Sequence, residues 1–329
     1  MSKNETLIFK PVNSIPDELQ NPRLREEVVR QIESNSQSYA QFKTFDSDTQ
    51  EAFIQFCMGN RGLQITYEPF FQKIFDPEHH PERLNRLLSS ILKQSIKVVR
   101  ILPREGIRLA EKSSLVIMDI LVESQNGSLI NVEIQKYGYH FPMERSFCYG
   151  ADMLVRQYSK LKDEKHENFT YKDMRPVYVI VLMEKSPAHF HKHTPSYIHK
   201  SSFTFDTGLQ LNNLLNFIYI SLDIFRSIPH NKIEELEAWL YFLCSAEPYH
   251  IQQIIRKYPF FKDLYQEIIK FQYQPKELIN MYSETLALMD HNTIKLMVDE
   301  LKEENAMLSD EIIALKEKIA KLEAELTGK

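Results

Sequence analysis

The sequence predicts a mixed α/β fold, with helices packed around one sheet. Three observations predict it. Apolar and β-branched runs cluster in the middle of the chain, between residues 96 and 225. Amphipathic helical patterns fill the segments before and after them. A strict seven-residue apolar repeat closes the chain.

The elements follow in order. Residues 1–45 are polar and punctuated by Pro11, Pro16 and Pro22, and they read as an N-terminal extension holding one amphipathic helix from about Pro22. "DSDTQEAFIQFCM" (46–58) is a capped helix. Either Asp46 or Asp48 supplies the cap, and Glu51 stands three residues after Asp48, as in a capping box. Phe53, Ile54 and Cys57 share its apolar face. "PFFQKIF" starts a helix at Pro69, and "PERLNRLLSSILKQ" starts another at Pro81, burying Leu84, Leu87, Leu88, Ile91 and Leu92.

Strand signals come next: "IKVVRIL" (96–102), "SSLVIMDILVES" (113–124) and "SLINVEIQ" (128–135). A helix spans about Met143 to Lys162. "PVYVIVLME" (176–184) reads as a fully buried strand, and "FIYISLDIF" (217–225) as a further one. Residues 231–289 return to helix and form a helical subdomain after a core of 46–230.

Residues 290–329 carry the heptads. Ile294, Leu301, Leu308, Leu315 and Leu322 fit position d, and Val298, Asn305, Ile312, Ile319 and Leu326 fit position a. Leu at d with Ile or Val at a favours a parallel two-stranded coil, and one Asn at a fixes its register. The segment is expected to dimerise the chain, with Glu311 and Lys316 pairing across the strands.

Composition bounds the function. With 43% hydrophobic residues in 329, the chain can bury a sizeable core. The net charge of −5 excludes a uniformly basic nucleic-acid binder, so any such contact must come from a local patch. Cys57, Cys148 and Cys244 are widely spaced and odd in number, which fits buried thiols rather than a zinc site or a disulfide framework. No run reaches the length of a membrane span, and the chain reads as cytosolic.

The stretch "IMDILVESQNGSLINVEIQK" (117–136) puts acids into strand-like runs around Asn126-Gly127. Loop length decides what they do. With a two-residue loop, opposed residue numbers sum to 253, and Asp119 meets Ile134. With a three-residue loop, Gln125-Asn126-Gly127, they sum to 252, and Asp119 meets Glu133 with Gln135 on the same face. The longer loop needs a left-handed residue at its third position, and Gly127 is there. Two carboxylates so close repel, and a divalent cation offsets that repulsion. Hard oxygen ligands with retained waters suit Mg²⁺. On the residues alone, a solvent-facing polar sheet side accounts for them as well.

Asp119, the hairpin and Glu133-Ile134-Gln135 resemble the active-site signature of the PD-(D/E)XK nucleases, and more narrowly of the transposase-associated, recombination-promoting members. "GNRGLQITYEPFFQKIFDPEHHPERLNRLLSSIL" is similar to that family's entry segment, and "FPMERSFCYGADMLVRQY" resembles its following helix. The resemblance covers about residues 50–290. It implies a nuclease-like mixed sheet flanked by helices and a metal-dependent DNA endonuclease using Mg²⁺, for which Mn²⁺ can substitute. Asp119 and Glu133 would be the metal ligands, with DNA as the partner and recombination or transposition as the setting.

The resemblance also implies departures. Gln135 stands where the superfamily usually has Lys, and a neutral amide can only orient water or donate a hydrogen bond. Lys136 is adjacent, yet strand alternation points it to the other face unless a bulge re-aims it. Glu68 stands where the family usually has Asp. It is either a third acid at the metal or an ordinary acid at a helix N-terminus. Lys136, Arg145 and Gln157 are the expected nucleic-acid contacts.

Two further features have plainer readings beside functional ones. His189, His191, His193 and His199 lie in a solvated loop, or meet DNA phosphate with Lys192 and Lys200. Lys93, Lys97, Arg100, Arg104 and Arg108 track a phosphate backbone, or are ordinary surface charge. The alternative to an enzyme is a catalytically weak or inactive nuclease-fold protein that binds DNA or assembles through its coiled coil.

Overall fold

The structure is a computed structural model that describes residues 22–66, 68–103, 118–138, 141, 143–201, 203, 205–209, 213–287, 312, 316 and 318, with residues 68 and 284–287 described by their backbone. Among the described residues, six strands form one sheet in the order β1-β2-β3-β4-β6-β5. They are β1 Val98–Ile101, β2 Ile120–Ser124, β3 Leu129–Tyr137, β4 Val177–Lys185, β5 Ile198–Lys200 and β6 Leu215–Ser221. β1, β2 and β3 form an antiparallel meander, β3, β4 and β6 run parallel, and β5 pairs antiparallel with β6. The expected mixed sheet flanked by helices is therefore present. The expected coiled coil of 290–329 lies outside the described residues except at three isolated positions.

The helices are α1 Arg25–Glu33, α2 Ser36–Phe42, α3 Ser47–Cys57, α4 Glu68–Ile74, α5 Pro81–Leu92, α6 Met143–Lys165, α7 Ala188–His191, α8 Leu222–Ser227, α9 Glu235–Cys244, α10 Pro248–Lys257, α11 Phe261–Lys270 and α12 Pro275–Ala287. Asp46 caps α3, accepting the Thr49 N–H at 2.8 Å. No capping box forms on Asp48, which lies within the first turn of α3, and Glu51 pairs with Arg25 at 2.7 Å. Pro81 opens α5, which buries Leu84, Leu87, Leu88 and Ile91.

Two cores sandwich the sheet. Ile120, Val122, Ile130, Val132, Ile134, Ile180 and Leu182 face the larger core, which is continuous with the helices on either side of the strands in sequence. Trp239 is fully buried there, 4.6 Å from Phe261 and 5.5 Å from Phe75 between ring centres. The other face holds Leu121, Leu129, Val179, Val181 and Phe217 under Tyr149 and Met153 of α6. β4 is covered on both faces, which is why it reads as a nearly unbroken apolar run; β3 is covered too, yet carries Asn131, Glu133 and Gln135. Parallel pairing of β3 with β4 requires a crossover, and α6 is that crossover.

Three local readings change. The segment 217–225 is strand only to Ser221, and α8 begins at Leu222. Asp223 in its first turn accepts the Ser186 N–H and Oγ–H, both at 2.8 Å, so the turn is stitched to the end of β4. The His-rich loop contains α7 and the short edge strand β5, whose three residues are too few to show alternation. Residues 25–42, expected in a polar extension, contribute Val28, Ile32 and Phe42 to the larger core, with α2 against α12. Among the described residues no helix is long and apolar enough to cross a membrane.

Of the three cysteines, Cys57 and Cys244 are buried and Cys148 is exposed on α6, so the expectation of buried thiols holds for two. Burial pushes both buried thiols up to about 12. A thiol-reactive chromophore at pH 8 should therefore label one cysteine in the native chain and three in denaturant. Rapid labelling of more than one without denaturant would contradict this packing.

Candidate active site

The hairpin between β2 and β3 sets the geometry. Ser124 donates its N–H to the Ser128 carbonyl at 2.9 Å, and Gly127 donates to the Ser124 carbonyl at 2.8 Å. The loop is thus Gln125-Asn126-Gly127, and Gly127 has φ +82°. Asn126 Oδ1 locks the turn by accepting Ser124 Oγ–H at 2.7 Å and the Ser128 N–H at 3.0 Å. The pairs Ile120–Val132, Leu121–Asn131, Val122–Ile130 and Glu123–Leu129 follow the three-residue register. One step further along that register brings Asp119 opposite Glu133.

The side chains confirm the pairing. Asp119 donates its N–H to Glu133 Oε1 at 3.1 Å, and Asp119 Oδ2 accepts the Ile134 N–H at 2.8 Å. Asp119 is 7% exposed and Glu133 only 1%. Gln135 projects from the same face, with Nε2 3.5 Å from Glu133 Oε2. Asn131, two residues before Glu133, donates from Nδ2 to Glu133 Oε1 at 3.0 Å. Sequence reading passed over Asn131, although the alternation that selects Gln135 selects it equally.

α6 supplies the cover. Arg145 donates from Nε and Nη2 to the Tyr149 hydroxyl at 3.0 and 2.8 Å, and its guanidinium lies 4.9 Å from the centre of the Phe141 ring. Burial works against the Arg145 charge, but Tyr149 beside it, with Glu133 and Asp119, outweighs burial and raises its pKa. Burial, then the Glu133 charge, pushes the Tyr149 phenol above its ordinary range. A phenol so shifted keeps its proton at neutral pH. Tyr219 of β6 donates to Ser146 Oγ at 2.6 Å and anchors this end of α6 to the sheet.

The other expected residues lie elsewhere. Gln157 is 4% exposed at the far end of α6. Its Nε2 donates to the Gly127 carbonyl at 3.1 Å and its Oε1 accepts the Arg175 N–H at 2.7 Å. Lys136 points to the opposite face, where its charge lowers the pKa of Asp46 after the larger effect of the Thr49 hydrogen bonds. Glu68 opens α4, which packs against β3.

His189 and His199 flank Phe190, and burial lowers both of their pKa values. Lys200 Nζ donates to the Ile91 carbonyl at 3.2 Å. Among the described residues no three His, Cys, Asp or Glu side chains are grouped as a metal cluster. Of the basic run, Arg100 reaches Glu123 at 3.7 Å, and Arg104 and Arg108 lie outside the described residues. A cavity of about 350 Å³ lies at the hairpin-turn end of α6, between Leu102, Glu123, Gly127, Gln157, Lys160 and Arg175. Lys160 there pairs with Glu123 at 2.6 Å, and neither Asp119 nor Glu133 lines this cavity.

The donor set fits a divalent cation. Two opposed, buried carboxylates offer hard oxygens, and the N–H groups of Asp119, Ile134, Asn131 and Gln135 orient them without adding charge. Asp119 and Glu133 could hold Mg²⁺ or Mn²⁺.

A family model described as PD-(D/E)XK nuclease family transposase matches residues 69–296. The match takes in all six strands, Asp119, Glu133, Gln135 and Arg145, and begins one residue after Glu68. No curated protein and no solved structure matches the chain.

The turn makes a direct prediction. Gly127→Ala places a Cβ 3.3 Å from Arg175 Cγ in a left-handed backbone. It should cost about 1–2 kcal/mol in urea unfolding. Gly127→Asn, which tolerates that conformation better, should cost less. Equal stability of all three chains would mean that the turn does not hold the register.

Proposed function

The chain belongs to the PD-(D/E)XK nuclease family transposases, and from that premise we propose that it is a Mg²⁺-dependent endonuclease that hydrolyses DNA phosphodiester bonds during recombination or transposition. One observation carries the reading: Asp119 and Glu133 oppose each other on a buried sheet face beside Gln135 and under Arg145. Asp119 and Glu133 would hold the ion, and Glu68, the first residue of α4, is the third acid that the family resemblance suggests. When bound, Mg²⁺ supplies Lewis acidity and a water of lowered pKa. The Gln135 amide orients the attacking water by hydrogen bonding. Arg145 contributes the positive charge that Gln135 lacks and contacts the DNA phosphate.

Of the other expected DNA contacts, alternation turns Lys136 away from the carboxylates, and backbone groups engage both amide atoms of Gln157. The heptads of 290–329 join two chains, which suits cutting of both strands.

Supercoiled plasmid with Mg²⁺ should be nicked by the wild type. Asp119→Ala and Glu133→Ala should each lose activity on the order of 100-fold or more, and Arg145→Gln should lose more than Gln135→Ala. Equal background nicking in every chain would favour the second reading, a DNA-binding or assembly protein on a nuclease scaffold, for which the missing Lys at 135 argues. Sedimentation equilibrium of the full chain should give a dimer. A monomer at micromolar concentration would remove the coiled-coil proposal.

A further inference from the structure

Asn131 is fully buried on the apolar face of the sheet, between Leu121 of β2 and Val179 of β4. Its side chain makes one hydrogen bond among the described residues, Nδ2 to Glu133 Oε1 at 3.0 Å. Its own oxygen, Oδ1, is buried with no partner among them. A buried acceptor without a donor is destabilising, and an apolar residue of the same shape would avoid it. Turning the amide over would set oxygen against a carboxylate oxygen, so the N–H is held toward Glu133. Strand packing alone therefore gives no reason for an amide here, because its neighbours across both strands are apolar.

We infer that Asn131 is a positioning residue for Glu133, an inference that rests on reading Asp119 and Glu133 as the metal-holding pair. The terminal torsion of a glutamate is soft, so a carboxylate on a strand does not choose its own orientation. Oε1 receives two donors, Asn131 Nδ2 and the Asp119 N–H. Together they use its lone-pair directions and fix the plane of the group. Oε2 is then directed toward the Gln135 edge, the edge from which a ligand would be met. Outer partners of this kind tune metal affinity without touching the ion.

The test is Mn²⁺ binding to the full chain without DNA, followed by electron paramagnetic resonance of the free ion. Asn131→Leu should bind Mn²⁺ at least about tenfold more weakly than the wild type. Its metal-free melting temperature should stay within about 4 °C, because losing a donor to Glu133 and removing an unpartnered oxygen offset each other. Affinity within twofold of the wild type overturns the inference, and a fallen melting temperature with unchanged affinity makes Asn131 a purely structural residue. Asn131→Ala gives the same readout if the leucine chain does not fold. A folded wild type that binds no Mn²⁺ at millimolar concentration removes the metal-pair reading itself, and this inference with it.

Discussion

Everything at the candidate site depends on the register of one hairpin, and the register depends on one left-handed backbone position. Side chains alternate across a strand, so a slip by one residue would send Asp119 opposite Ile134 and turn Glu133 to the other core. Gly127 at φ +82° permits the three-residue loop that avoids the slip. The turn is not left to its own hydrogen bonds. Gln157 reaches from α6 to the Gly127 carbonyl and also holds the backbone of Arg175, just before β4. One side chain thus ties the hairpin, its covering helix and the next parallel strand. Gly127 and Glu133 are six residues apart along the chain, so the restraint acts about 20 Å from the carboxylates.

The placement of those carboxylates is locally unfavourable. The face that carries them is otherwise lined by Leu121, Leu129, Val179, Val181 and Met183. Burying a charge there is costly unless it is hydrogen-bonded and balanced. Backbone N–H groups of Asp119 and Ile134, side-chain amides of Asn131 and Gln135, and the Arg145 charge meet that need in different ways. Sequences break local packing rules mainly where function requires it. Here the breach is confined to Asp119, Asn131 and Glu133, while the opposite face of the same strands stays apolar from Ile130 to Ile134.

Much of this was legible in the sequence because it lay in short-range chemistry. The Asp46 cap, the Pro81 helix start, the fully buried β4 and the choice of hairpin register all follow from a few neighbouring residues. What escaped was set by distant packing. α1 and α2 look polar and Pro-punctuated, yet three apolar side chains secure them to the main core beside α12. β5 has no alternation to detect and exists because β6 offers an edge. α8 begins at Leu222 because Asp223 bonds to Ser186, thirty-seven residues earlier. Asn131 was visible in the pattern but not as a partner, since only the structure reveals its lone hydrogen bond and its unpartnered oxygen.

The exchange of Lys for Gln at 135 changes how the proposed chemistry divides among groups. A lysine on the strand would bring charge and, when deprotonated, a base. Gln135 brings neither. Arg145 restores the charge from a different element, held by Tyr149 and Phe141 rather than by the strand. A guanidinium stays protonated at any working pH, so it can stabilise a phosphate but cannot take a proton from water. The Tyr149 phenol, raised by burial, is no base near neutrality either. Of the side chains described around the pair, only Asp119 and Glu133 can then take that proton, while the Gln135 amide can orient the water. In the proposed reaction, water activation thus rests on the carboxylate pair and the ion it would hold, while Arg145 serves the phosphate and balances the buried carboxylates.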